Sequence, residues 1–216
     1  MTVWISGNTT DAMHKLNQIL RRVPVWAVYI AGLVPVPWLF YQGMTGGLGV
    51  EPIEALEHEY GELALQLLIL GLAVTPLRRL TGLNLMKFRR AIGVLTLSYV
   101  ACHLLVWLVL DVQDPSQIWA DIIKRPYITV GMVAFVLMLP LGITSNNASV
   151  RWLGAAWRRL HKLVYPAAIL AGLHYVMLAK GFQIEPLIYL FVILALLLLR
   201  LPKPAFNTAS RRADSA

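Results

Sequence analysis

Ala91-Ile92-Gly93-Val94-Leu95-Thr96-Leu97-Ser98-Tyr99-Val100-Ala101-Cys102-His103-Leu104-Leu105-Val106-Trp107-Leu108-Val109-Leu110 contains no Asp, Glu, Lys or Arg. It is bounded by Arg89 and Arg90 before it and Asp111 after it. A hydrocarbon core of about 30 Å takes about 20 apolar residues of helix, so this run reads as one membrane crossing. Outward from it, further apolar runs lie at about 23–41, 59–77, 127–144, 163–180 and 186–201. The second is the least obvious, because Glu59 and Glu62 sit near its start. The fold class expected is therefore an all-α integral membrane protein, a six-transmembrane-helix bundle. Residues 1–22 form an N-terminal segment, 23–201 the membrane domain, and 202–216 a polar tail expected to be disordered.

Composition agrees. Of 216 residues 58% are hydrophobic and 14% charged, with a mean hydropathy of +0.64, whereas soluble domains carry about a quarter charged residues. Six spans with short loops use up nearly the whole chain, which leaves no room for a soluble catalytic domain. The single cysteine, Cys102, excludes a disulfide framework and thiolate zinc or iron–sulfur sites. No phosphate-binding or dinucleotide-binding glycine loop occurs. The first run follows Arg21-Arg22, carries Pro24, Pro35 and Pro37, and lacks a small-residue cleavage site, so it reads as a retained helix.

The net charge of +8 and pI near 9.9 reflect topology signals, not a nucleic-acid surface. Lys15, Arg21 and Arg22, the 78–90 loop, the 145–162 loop, and Arg200 with the tail hold 16 of the 19 basic residues. Only Lys124, Arg125 and Lys180 fall on the other side, together with Glu51, Glu54, Glu57, Asp111, Asp114, Asp121 and Glu185. The positive-inside rule then expects both termini in the cytoplasm.

Ligand-capable residues inside a membrane are costly and mark function by default. His14 lies in the N-terminal segment, which leaves His58, His103, His161 and His174. At about 1.5 Å per residue, His103 lies about 20 Å above Arg90 and His174 about 18 Å above Lys162. Two helices thus carry a histidine at matched depth, the arrangement that two axial ligands of one haem require. His58 sits about 10 Å further out and His161 about 18 Å further in. Interfacial or packing roles are the plain alternative, strongest for His58. His161 and His174 are 13 residues apart, a rise that suits two stacked haems. They point about 140° apart on an ideal helix, however, unless Pro166 kinks it. The positions on the third span that would supply the partner of an inner haem are Arg90 and Arg89. The number of haems stays open on these residues.

Arg159-Leu160-His161-Lys162-Leu163-Val164-Tyr165 followed by Gly172-Leu173-His174-Tyr175 resembles the fifth-helix signature of ferric-reductase-like transmembrane domains. Further matches are Gly46-Gly47-Leu48-Gly49 with Pro52, His58-Glu59-Tyr60-Gly61, Ala73-Val74-Thr75-Pro76-Leu77-Arg78, Arg89-Arg90-Ala91-Ile92-Gly93 leading to His103, and Arg125-Pro126-Tyr127-Ile128-Thr129 with Gly131. Over about residues 20–200 this ordered series is similar to the MsrQ (YedZ) family.

The resemblance implies a multi-pass bacterial inner-membrane subunit for electron transfer, not the catalytic subunit of its system. It implies haem b, with family ligands falling on His103, His161 and His174, and raises a second haem and a bound FMN as further cofactors. The donor it implies is a cytosolic flavin reductase or the quinone pool. The acceptor is a periplasmic molybdenum-cofactor subunit that reduces protein methionine sulfoxide. Arg89, Arg90 and Arg158 read as topology residues or as partners of a flavin phosphate or haem propionate, which guanidinium groups grip bidentately. The rival reading is a transporter or channel with a histidine proton relay. Such proteins place several polar groups within their spans, and here Gln66 and the edge residue Glu62 are nearly the only ones.

Overall fold

A computed structural model describes residues 4–179 and 181–201, and every regular element among them is helical. The tail expected to be disordered lies outside the described residues. The N-terminal segment forms helix α1 (Trp4–Arg22), with Arg21 and Arg22 in its last turn, where cations suit the helix dipole. Lys87 Nζ donates to the carbonyls of Arg21 at 2.8 Å and Val23 at 2.7 Å, groups that a helix end leaves without partners.

The first apolar run is α2 (Val25–Leu33) and α3 (Pro35–Thr45), one crossing of 21 residues interrupted where Pro35 has no N–H to donate. On either side of the break the Tyr99 hydroxyl donates to Gly32 O and the Tyr60 hydroxyl to Val36 O, each at 2.7 Å. Gly46 closes α3 at φ 83°, a left-handed cap that glycine adopts without strain.

Helix α4 (Pro52–Leu80) has 29 residues, about 43 Å of rise. It starts seven residues before the apolar run at 59–77, because Pro52 at its first turn is a helix starter. Hydropathy marks the lipid-covered part and not the helix. Helix α5 (Arg89–Leu105) follows a 3₁₀ turn (Met86–Phe88) and continues into a π-helical stretch, Val106–Val112. Then come α6 (Pro115–Lys124), α7 (Pro126–Ile143), α8 (Asn147–Leu153), α9 (Ala155–Leu160), a 3₁₀ turn (His161–Leu163), α10 (Val164–Leu178) and α11 (Ile184–Leu198).

Among the described residues four helical stretches are long and apolar enough to cross a membrane: Val25–Thr45, Pro52–Leu80, Met86–Val112 and Pro126–Ile143. Helices α10 and α11 have 15 residues each. The chain is an all-helical, multi-pass membrane protein. Leu56, Tyr60, Ala64, Tyr99 and Val106 form one core between α4 and α5. Leu65, Leu68, Leu72, Ala168 and Ile193 join α4 to α10 and α11. Trp26, Ile30, Trp38, Phe191 and Leu198 point outward. Within the bundle Glu62 Oε1 accepts from Gln66 Nε2 at 2.8 Å and from the Tyr189 hydroxyl at 3.0 Å, which ties α4 to α11 through groups that satisfy one another.

Candidate cofactor site

Helices α4, α5, α7 and α10 enclose a cavity of about 340 Å³. Its walls are mostly apolar: Leu65, Leu68, Val100, Trp107, Phe135 and Met138 all line it. From opposite sides α5 contributes His103 and α10 contributes His174. The imidazole centroids are 6.2 Å apart, with ring planes at 78°. Metal–nitrogen bonds are about 2.0–2.1 Å long, so two imidazoles at this separation could hold one metal ion between them.

Each ring is oriented by backbone. His103 Nδ1 lies 2.9 Å from Glu57 O on α4, and His174 Nδ1 lies 2.7 Å from Tyr127 O on α7. A carbonyl oxygen only accepts, so each Nδ1 carries the proton and each Nε2 keeps a free lone pair. Hydrogen-bonded imidazoles of this kind make the more basic metal ligands. The contacts also fix direction: the end of α5 meets the start of α4, and the end of α10 meets the start of α7. The site is built from two antiparallel helix pairs.

The cavity mouth carries Glu54, Glu57, His58, Asp111 and Arg125. His58 is half-exposed and lies 3.9 Å from Glu54 on its own helix. Arg125 Nε is 3.2 Å from Asp121 Oδ1, and its Nη1 donates to the Tyr127 hydroxyl at 3.3 Å. The sequence placed Arg125 among the far-side charges and in the Arg125-Pro126-Tyr127-Ile128-Thr129 match, without a cofactor role. Its place two residues before Tyr127, at the start of α7, is the signal that it borders the site.

His161 lies apart from this pair, at the other end of the α10 arm. Its ring stacks on Trp157 at 3.8 Å, and Nε2 is 3.1 Å from Thr144 Oγ1. Burial, then the charges of Arg89 and Arg90, lower its proton affinity. Arg90 Nη1 donates to Asn147 Oδ1 at 2.7 Å. Arg89 neighbours Arg200 and Tyr165, and the Arg200 guanidinium lies 5.8 Å over the Tyr165 ring. Arg158 is exposed, and no side-chain hydrogen bond or ion pair joins it to these groups among the described residues. The structure thus gathers His161, Arg89, Arg90 and Arg200 at one end of the bundle and leaves Arg158 at the rim. No group of three or more His, Cys, Asp or Glu forms a metal cluster among the described residues.

The family model for the ferric reductase like transmembrane component matches residues 60–172, a segment that contains His103 and ends two residues before His174. The fold and this match define a ferric-reductase-like membrane domain. Proteins of Brucella ovis, Brucella canis and Brucella abortus named protein-methionine-sulfoxide reductase heme-binding subunit MsrQ are each 46% identical over 185 residues. The alignment covers 85% of this chain and 84% of each relative. The chain belongs to the MsrQ family. No solved structure matches it significantly.

Proposed function

We propose that this chain is the haem b electron-transfer subunit of a protein-methionine-sulfoxide reductase system in the bacterial inner membrane. The observation that carries the reading is the His103–His174 pair, 6.2 Å apart with both Nδ1 atoms held on backbone carbonyls. The relatives' printed name, a heme-binding subunit, supports it. The haem supplies a one-electron iron couple. The chain's own residues hold it: His103 and His174 present Nε2 lone pairs from opposite walls, and the apolar lining keeps water from the iron. Arg125 at the mouth suits a propionate.

In this reading six helices cross the membrane and both termini are cytoplasmic. The His103–His174 site then lies in the outer half of the bilayer, nearer a periplasmic molybdenum-dependent reductase. His161, Arg89, Arg90 and Arg158 face the cytoplasm, where a flavin reductase delivers electrons or FMN binds through its phosphate. The quinone pool is the alternative donor. A second haem at the inner end would use His161.

His103→Ala and His174→Ala, purified with correctly inserted protein, should each abolish the low-spin bis-histidine spectrum. Retention of that spectrum in the His103→Ala protein moves the ligand role to another histidine and sinks the assignment. Replacing Arg89, Arg90 and Arg158 together by Gln should slow reduction by a flavin donor with haem content unchanged. An unchanged rate leaves these arginines as topology residues.

A further inference from the structure

The two ligand histidines reach their carbonyls through the same local device. Gly61 lies four residues after Glu57 on α4, and Gly131 lies four residues after Tyr127 on α7. In a helix the carbonyl of residue i points at residue i+4, whose N–H it already accepts. The Cβ of that later residue leans back over the preceding turn. A side chain at i+4 therefore covers the second lone pair of the carbonyl. Glycine at i+4 leaves it open.

The distances show how close the rings come. A Cβ built on Gly131 would stand 2.9 Å from His174 Nδ1 and 3.0 Å from its Cε1. One built on Gly61 would stand 3.1 Å from His103 Nδ1 and 3.3 Å from its Cε1. Both lie inside the usual carbon contact distance of about 3.5 Å. Neither glycine has a positive φ, so backbone freedom does not explain them. Glycine in a helix interior costs about 1 kcal/mol relative to alanine, and here it sits opposite a histidine in both helix pairs.

We propose that Gly61 and Gly131 are positioning residues for the haem ligands. Each is a notch that lets an imidazole lie against its neighbour helix, bond the Glu57 or Tyr127 carbonyl, and hold its ring plane. The inference rests on the haem reading above. The carbonyl bonds raise ligand basicity, which favours ferric over ferrous iron. The notches set the ring planes at 78° to each other. Near-perpendicular imidazoles leave two iron d orbitals almost equal in energy, which gives a strongly anisotropic ferric EPR signal.

The test uses the full chain, loaded with haem and purified in detergent, as Gly61→Ala, Gly131→Ala and Gly93→Ala. Gly93 has open space where a Cβ would go and serves as the control. The readouts are the largest ferric g value and the midpoint potential. Both notch variants should keep a low-spin haem, move the largest g value and raise the midpoint, Gly131→Ala the more because its Cβ would sit closer. Losing an outer hydrogen bond costs about tenfold in metal affinity; if that loss falls on the ferric form, the shift is about 59 mV for one electron. Gly93→Ala should match the unsubstituted chain. If Gly131→Ala binds no haem, the milder Gly61→Ala decides: a moved g value and midpoint support the notch, unmoved ones overturn it. Unchanged values in both variants also overturn it. Absence of any bis-histidine signal in the unsubstituted chain overturns the haem reading, and this proposal with it.

Discussion

His103 and His174 differ from His58 and His161 in what their nitrogens face. The first two turn Nδ1 to backbone carbonyls, and their rings lie 6.2 Å apart across the cavity. His161 has Nε2 against Thr144 and its ring flat on Trp157, and His58 sits beside Glu54 at the half-exposed mouth. His161→Ala should therefore leave the outer bis-histidine spectrum at least partly in place, altering only a second haem or the cytoplasmic end. His58→Ala should have the mildest effect of the four. Optical and EPR spectra of the two variants check this, and complete loss of the low-spin signal in His161→Ala would reassign the ligands. The shared height of His103 and His174 was legible from counting residues between charges. Their carbonyl and glycine partners were not, because Glu57 and Tyr127 lie 46 and 47 residues away in the chain, and nothing local to a helix states which turn of its neighbour it will meet.

At the scale of elements, α4 shows how a break in one helix is mended by another. Pro76 has no N–H to give to the Leu72 carbonyl. Arg200, just past the end of α11, donates to Leu72 O from Nη2 at 2.6 Å and Nε at 3.0 Å, and to Gly71 O at 3.0 Å. Hydrogen bonds from a charged donor contribute about 1.5–3 kcal/mol each. Arg200→Gln should thus lower stability by about 2 kcal/mol. In a Pro76→Ala background, where the backbone N–H returns, the same change should cost clearly less. Unfolding of the four proteins of this cycle in detergent measures the coupling; strictly additive costs would mean that Arg200 does not serve the Pro76 gap. Sequence alone placed Arg200 among the topology charges, since a partner 128 residues away leaves no local trace. Helix α6 escaped hydropathy for a different reason. It is short and mixed, with Gln117, Asp121 and Lys124 among Trp119 and Ile122. Its start was nonetheless written in Asp114-Pro115, a cap accepting from Ser116 N at 2.9 Å and a proline in the first turn.

For the whole molecule the decisive quantity is which way the bundle faces, because it sets which end of the site meets which partner. Hydropathy resolves crossings only where helix length matches lipid thickness, so α10 and α11, at 15 residues each, read less plainly in the structure than their apolar runs do in the sequence. Charge carries the orientation instead. The ends that hold Arg78, Arg79, Arg89, Arg90, Arg158 and Arg159 form one face, and on that face the described acids are few. The mouth of the cavity, with Glu54, Glu57 and Asp111, forms the other. Cytoplasmic loops collect Lys and Arg, so the arginine-rich face should be cytoplasmic, with Ala216 on the same side and the 45–55 loop in the periplasm. A reporter active only in the periplasm should be silent when fused at Ala216 and active when inserted at 45–55, and a cytoplasmic reporter should give the reverse. Moving about 2.3 kcal/mol per charge against each 100 mV of membrane potential opposes export of so many arginines. The opposite pattern would turn the bundle over. It would place the His103–His174 site near the cytoplasm and the His161 end at the periplasmic face.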